Sequence, residues 1–214
     1  GTLNIHRLVQ AVARERMGAK RQEKWGKAAI ELLIATLPDG TRLHKWVDGP
    51  QMLPHMIAAA ELGAQFNWET ERLALLCNET GYYLQHLGDY KAARPFYEQA
   101  LAINQKVLGE AHPDTASSLN NMGALLRAMG QLAEARPFYE QALAIRQKVL
   151  GDAHPDTARS LNNLAVLAYD EQDMPEAARL MRQALAIWEK VLGKDHPSTQ
   201  SSRESLATIE AALG

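Results

Sequence analysis

Three asparagines recur at a fixed interval, Asn78, Asn120 and Asn162, each 42 residues after the last. A carboxamide offers one acceptor oxygen and two donor hydrogens. A file of them can therefore hold both the C=O and the N–H groups of an extended peptide, whatever its side chains are. Four residues beyond each asparagine stand Tyr82, Ala124 and Val166, and seven beyond stand Gln85, Arg127 and Tyr169. The i, i+4, i+7 spacing keeps each trio on one face of a helix. One turn earlier come Leu75, Ser117 and Arg159. These neighbours vary from copy to copy and so would carry selectivity, with Arg127 and Arg159 favouring an acidic or carboxylate-bearing ligand. Such asparagines could instead face water or bond a neighbouring loop. Asparagine costs a helix up to about 0.7 kcal/mol relative to alanine, which favours a contact role, although duplication of one unit also accounts for the recurrence.

Other chemistries find little support. His112, His154 and His196 recur at the same interval, each followed by proline. Successive copies should lie on the order of 10 to 20 Å apart, whereas metal ligands must sit within about 2 Å of the ion. They are therefore read as turn histidines that cap or pack, and no metal site is expected. No G-x-x-x-x-G-K-[ST], G-x-S-x-G or H-E-x-x-H pattern occurs in the sequence, so the chain by itself should neither bind nor hydrolyse a nucleotide. Cys77, the single cysteine, falls at an apolar helix position and is read as a core residue rather than a nucleophile. Neither an enzyme nor a cofactor is expected.

The asparagines sit within repeated text. RPFYEQALAINQKVLGEAHPDT (94–115) returns as RPFYEQALAIRQKVLGDAHPDT (136–157), changed only at Asn104/Arg146 and Glu110/Asp152, and a looser copy, ARLMRQALAIWEKVLGKDHPST, follows at 178–199. In the middle unit, Leu119, Met122, Gly123 and Leu126 mark one helical stripe. Ala135, Phe138, Tyr139, Ala142, Ile145 and Val149 mark a second. Gly109, Gly151 and Gly193 are placed to end the second helix of each pair in a left-handed conformation. Pro113, Pro155 and Pro197 suit the first turn of the next helix. Small residues at Gly81, Gly123 and Ala165, and at Ala93, Ala135 and Ala177, would let paired helices approach closely, with Tyr97, Tyr139 and Met181 filling the space beside them. Neither helix alone can hide its stripe, so stacking must do so.

Met122-Gly123, Ala135, Tyr139 and Ala142, with their equivalents in the other copies, resemble the tetratricopeptide repeat in its long form. The 42-residue period, the SLNNMG and SLNNLA segments and the terminal HPDT are similar to the kinesin light chain variety. The resemblance implies an all-α, right-handed superhelical solenoid of antiparallel helix pairs whose concave groove is lined by Asn78, Tyr82, Gln85, Asn120, Arg127, Arg159, Asn162 and Tyr169. Three units are expected over 71–196 and a capping helix over 197–214, where Arg203 and Glu210 replace the apolar residues that a further repeat would need. Residues 1–70 do not follow the period. They are read as an irregular helical segment: helices at 5–17 and 21–37, a turn-rich stretch at 38–50, and a degenerate hairpin helix at 51–67 with Pro54 in its first turn.

IHRLVQAV, a tryptophan-bearing loop, LPHMIAAAE and then long repeats resemble the end of the winged-helix region and the repeat sensor of bacterial NB-ARC-type STAND signalling NTPases. Ile5 to Val9 look like that module's Met-His-Asp-type motif, with Arg7 departing from the usual acid. If an NTPase precedes this chain, the resemblance implies that His6 senses the nucleotide. The expected function is protein or peptide recognition as an effector-sensing, autoinhibitory module, and the alternative is a free-standing adaptor without a motor. A net charge of −2 and a pI near 6.4 argue against nucleic acid as a partner. The short, glutamate-interrupted apolar runs argue against a membrane span. A lone cysteine and the absence of a signal peptide point to the cytoplasm. The start at Gly1 suggests a fragment, which is expected to be monomeric.

Overall fold

The computed structural model describes residues 18–37 and 49–213. His6, the helix expected over 5–17 and positions 38–48 lie outside the described residues. Among the described residues there are nine helices and no strand. They are α1 (Ala19–Thr36), α2 (Gly49–Gln65), α3 (Glu71–His86), α4 (Tyr90–Leu108), α5 (Pro113–Ala128), α6 (Leu132–Leu150), α7 (Pro155–Asp170), α8 (Met174–Val191) and α9 (Pro197–Leu213). The chain forms two compact units that divide after Glu110. The first holds α1 to α4 and the second α5 to α9.

In the first unit, α3 and α4 form a closely packed pair and α2 packs against both α1 and α3. Gly81 of α3 faces the ring of Tyr97 on α4, where a Cβ would fall 2.9 Å from Cδ1. The ring is 1% exposed. The missing side chain is thus what lets the aromatic seat against the helix. Leu73, Ala74, Leu76 and Cys77 complete the buried face. Burial pushes the Cys77 thiol up to about 12, so it stays protonated and unreactive at neutral pH. On α1, Ala29, Ile30 and Leu33 are buried. Trp68, stacked on Phe66, packs against Gly26 in the space a side chain would take there. Pro54 lies in the second turn of α2 rather than the first, because α2 begins at Gly49.

The second unit repeats the same hairpin twice and closes with α9. Gly123 meets Tyr139 as Gly81 meets Tyr97, with a Cβ at 3.0 Å from Cδ1. In the third pair Ala165 and Met181 are both fully buried, the flexible thioether occupying the aromatic's place. Pro113 and Pro155 open α5 and α7. The recurrent histidines are N-caps: Nδ1 of His112, His154 and His196 accepts the backbone N–H of Asp114, Asp156 and Ser198 at 3.1, 3.1 and 3.2 Å. Such a cap satisfies one of the unpaired amides at a helix start and contributes about 1 kcal/mol. Gly151 ends α6 at φ 89° and ψ 164°, a conformation open essentially to glycine alone, and its N–H donates to the Gln147 carbonyl. On α9, Thr199, Ser202 and Ile209 face inward. Arg203 and Glu210 pair back to Glu189 and Arg182 of α8 at 2.6 Å each.

The stripe expected on α6 needs one correction. Ala135, Tyr139 and Ala142 are buried, but Val149 is 46% exposed, and the deeply buried residue in the last turns is Arg146, at 2% exposure. Continuing 135, 139, 142 at 3.6 residues per turn reaches 146, whereas the expected stripe ran on to 145 and 149.

Candidate peptide-binding surface

Asn78, Tyr82 and Gln85 lie on α3 in the first unit, where Asn78 is half-buried and Tyr82 is exposed. Tyr82 stacks on His86 with ring planes 13° apart and centroids at 6.1 Å. That stack holds its face in place and lowers the entropy lost if a ligand packs on it. Gln85 is drawn inward, since its Oε1 accepts the Tyr97 hydroxyl at 3.0 Å. Burial raises the Tyr97 hydroxyl's pKa, and the nearby Glu79 carboxylate adds to the effect. Leu75, one turn before Asn78, is exposed. Also in this unit, the end of α2 and α4 enclose an open cleft of about 200 Å³ lined by Trp68, Leu73, Gln99 and Ile103, none of them a predicted site residue.

In the second unit, Asn120 and Arg127 lie on α5, and Arg159, Asn162 and Tyr169 on α7. Asn120 and Asn162 are half-buried and Tyr169 is 39% exposed. The structure gives Asn120 a polarity that the sequence does not. Nδ2 of Asn163 donates to Oδ1 of Asn120 at 2.5 Å, which occupies one of the two lone pairs of that oxygen. The bond fixes which end of the Asn120 amide is the oxygen and orients its NH2 group, a donor for carbonyl or carboxylate oxygens. Arg127 pairs with Asp170 at 2.9 Å and Arg159 with Asp156 at 3.0 Å. Both pairs are half-exposed and worth little to stability, so a ligand anion can compete for either cation.

Between α5 and α7 lies a group that hydropathy does not reveal. The Arg146 guanidinium, carried on α6, donates from Nη1 to Ser160 Oγ at 2.7 Å and from Nη2 to Ser117 Oγ at 3.4 Å. It also reaches the Asp156 carbonyl at 3.5 Å. None of these partners is an anion. Desolvation, reinforced by the positive charge of Arg159, pulls its pKa down to about 10, so it remains charged at neutral pH. The available signal was the text itself: position 146 is one of two differences between the near-identical copies. No group of three or more His, Cys, Asp or Glu among the described residues could hold a metal ion. No helix among them is long and apolar enough to cross a membrane.

The comparisons agree with this architecture. A tetratricopeptide repeat family model matches residues 71–148, 116–190 and 156–214. Among solved structures, BtubC (BKLC) of P. vanneervenii superposes with a TM-score of 0.66 at 19% identity, over 99% of this chain and 90% of the other. A Podosopora anserina protein described as a kinesin light chain with nearly identical TPR-like repeats superposes at 0.61 and 25% identity, over 100% of this chain and 89% of the other. A nucleotide-binding leucine-rich repeat (NLR)-like protein of Hyaloscypha variabilis is 32% identical over 135 residues. That stretch is 56% of this chain and 12% of the relative, so the match spans a small part of the longer protein. With the repeat model covering both hairpins of the second unit and the last hairpin of the first, the chain belongs to the tetratricopeptide repeat family.

Proposed function

We propose that the chain is a peptide-binding module that serves as the C-terminal effector-sensing and autoinhibitory part of a STAND-class signalling NTPase. The observation that carries the binding role is the side-chain set on the first helix of each pair. Asn78, Asn120 and Asn162 recur among exposed aromatic and cationic neighbours, namely Tyr82, Tyr169 and Arg159. Backbone-directed amides supply affinity, while Tyr82, Gln85, Arg127, Arg159 and Tyr169 supply selectivity. The attachment to an NTPase is supported by the segment order before the repeats and by the likeness to an NLR-like protein of far greater length. Effector binding would then shift the attached motor between closed and assembling states through its differential affinity for the two. His6 would sense the nucleotide in such a protein. The division into 1–70, 71–196 and 197–214, a cytoplasmic location and a monomeric fragment belong to the same proposal.

Likeness over nearly the whole length of a protein described as a kinesin light chain favours a second reading, a free-standing adaptor. The coding sequence upstream of Gly1 separates the two. A phosphate-binding loop within several hundred residues is expected, and its absence would leave the adaptor. The binding role is tested by selecting a random peptide-display library on the chain. Enrichment that persists in the N78A/N120A/N162A variant would remove the amides from the site.

A further inference from the structure

The start of α1 is charged against its own helix dipole. Its first turn holds Lys20 and Arg21 and no acid, and Gly18 supplies no side-chain cap. Cations are disfavoured there, because the free amides of a helix start carry partial positive charge. The helices α3, α5, α6, α7 and α8 each place an acid in that turn instead. Glu23 pairs with Lys27, and Glu31 with Arg72 of α3, which leaves Lys20, Arg21 and Lys24 without a carboxylate partner among the described residues. These cations adjoin an exposed apolar seam. Trp25 and Leu32 are each 40% exposed, and Ala28 and Ala35 are exposed beside them. Their spacing is that of the a and d positions of a heptad. The opposite side of the helix, with Gly26, Ile30 and Leu33, is buried.

We propose that the outer face of α1 docks a partner helix with an acidic rim, at a surface separate from the asparagine-bearing groove. Large and small residues alternate along the seam, so leucine-sized side chains of a second helix fit over Ala28 and Ala35 while Trp25 and Leu32 enter holes on the partner. Trp25 with Arg21 one turn before it is the pairing of residue types that anchors interfaces. The charges set the partner's sign. Lys20, Arg21 and Lys24 lie at the N-terminal end of the seam, where glutamates or aspartates of the partner supply the missing counter-charges and offset the repulsion from the helix dipole. A lipid surface is the poorer match, because Ile30 and Leu33 are already buried against the protein and only two large apolar side chains of the seam remain outside. The seam from Trp25 to Ala35 spans about 15 Å, which about two heptads of a partner helix cover.

The test titrates the chain into a fluorescein-labelled synthetic peptide of about three heptads, with leucine at a and d and glutamate at e and g, and reads anisotropy. The same peptide with lysine at e and g is the control. Saturable binding of one acidic peptide per chain is expected, weakening as salt is raised. It should fall at least about tenfold in W25S/L32S, in K20E/R21E/K24E and with the lysine peptide. It should persist in N78A/N120A/N162A. Undiminished binding by either α1 variant, or equal binding of the lysine peptide, overturns the proposal. Loss of binding in the triple asparagine variant places the peptide in the groove and overturns it too. Should W25S/L32S fail to fold, the charge-reversal variant carries the test. Sedimentation velocity of the chain alone and flotation with phosphatidylserine-containing vesicles address other occupants. A dimer or vesicle binding that is abolished by W25S/L32S would assign the face to a second copy or to a lipid surface, against the proposal. Peptide binding that appears only after residues 1–17 are removed would also overturn it, since the face would then be closed in cis.

Discussion

In the hairpins α3–α4 and α5–α6 the second helices, α4 and α6, are close to the same text, and they differ in what they do with one buried position. In α4 the place is taken by Asn104, 4% exposed, and in α6 by Arg146, 2% exposed. The glycine-to-tyrosine contact is conserved between them to within 0.1 Å, at 2.9 and 3.0 Å. The shared scaffold is therefore indifferent to the substitution. What changes around it is polar: the place of Ser117, which receives a bond from Arg146, is held in the first copy by Leu75. Hydroxyls on the neighbouring helices are what make a guanidinium tolerable there. The packing is thus copied, while the electrostatic content is set copy by copy.

Exchanging the two residues is the strongest way to break this comparison. Asn104→Arg buries a cation with Leu75 where Ser117 would be, and should cost more in denaturant unfolding than the reverse change, since one of the two hydroxyls that Arg146 bonds has no counterpart there. Arg146→Asn should cost less, because it removes a desolvated charge that no carboxylate pairs with directly. Equal losses in the two variants would contradict the asymmetry. Next in size, Tyr97→Phe should cost about 1 kcal/mol through the lost bond to Gln85. Tyr139→Phe should change stability by less than about 0.5 kcal/mol, since its hydroxyl has no hydrogen-bond partner among the described residues.

The smallest effect concerns Glu79, whose place is taken by Asn121 and Asn163 in the later copies. Burial raises its pKa, so the folded state prefers the protonated acid. The stability that goes with this preference is full at low pH and is lost as pH rises through the carboxylate's titration in the folded chain. Glu79→Asn should therefore stabilise the first unit modestly at neutral pH, with the gain shrinking on acidification. Thermal unfolding of both proteins across that range checks the sign.

Helix limits, caps and close approaches were legible because each has a local cause. Proline at a first turn, glycine at positive φ and a small residue opposite an aromatic all act over a few positions. Arg146 was not legible, because a charged residue on an apolar stripe reads as a surface position until its hydroxyl partners, 29 and 14 residues away, are known. Likewise the polarity of Asn120 depends on Asn163, 43 residues on. The α1–α2 region was legible only as helical. Its packing turns on Gly26 against Trp68, a contact between residues with no periodic relation.

The role of the amide-bearing faces is tested most directly by the affinity of the purified chain for a peptide selected on it, measured by fluorescence anisotropy for wild type and N78A/N120A/N162A. A loss of about tenfold or more is expected, which corresponds to about 1.4 kcal/mol. Equal affinity, with the variant folded, would contradict the assignment of these asparagines to binding.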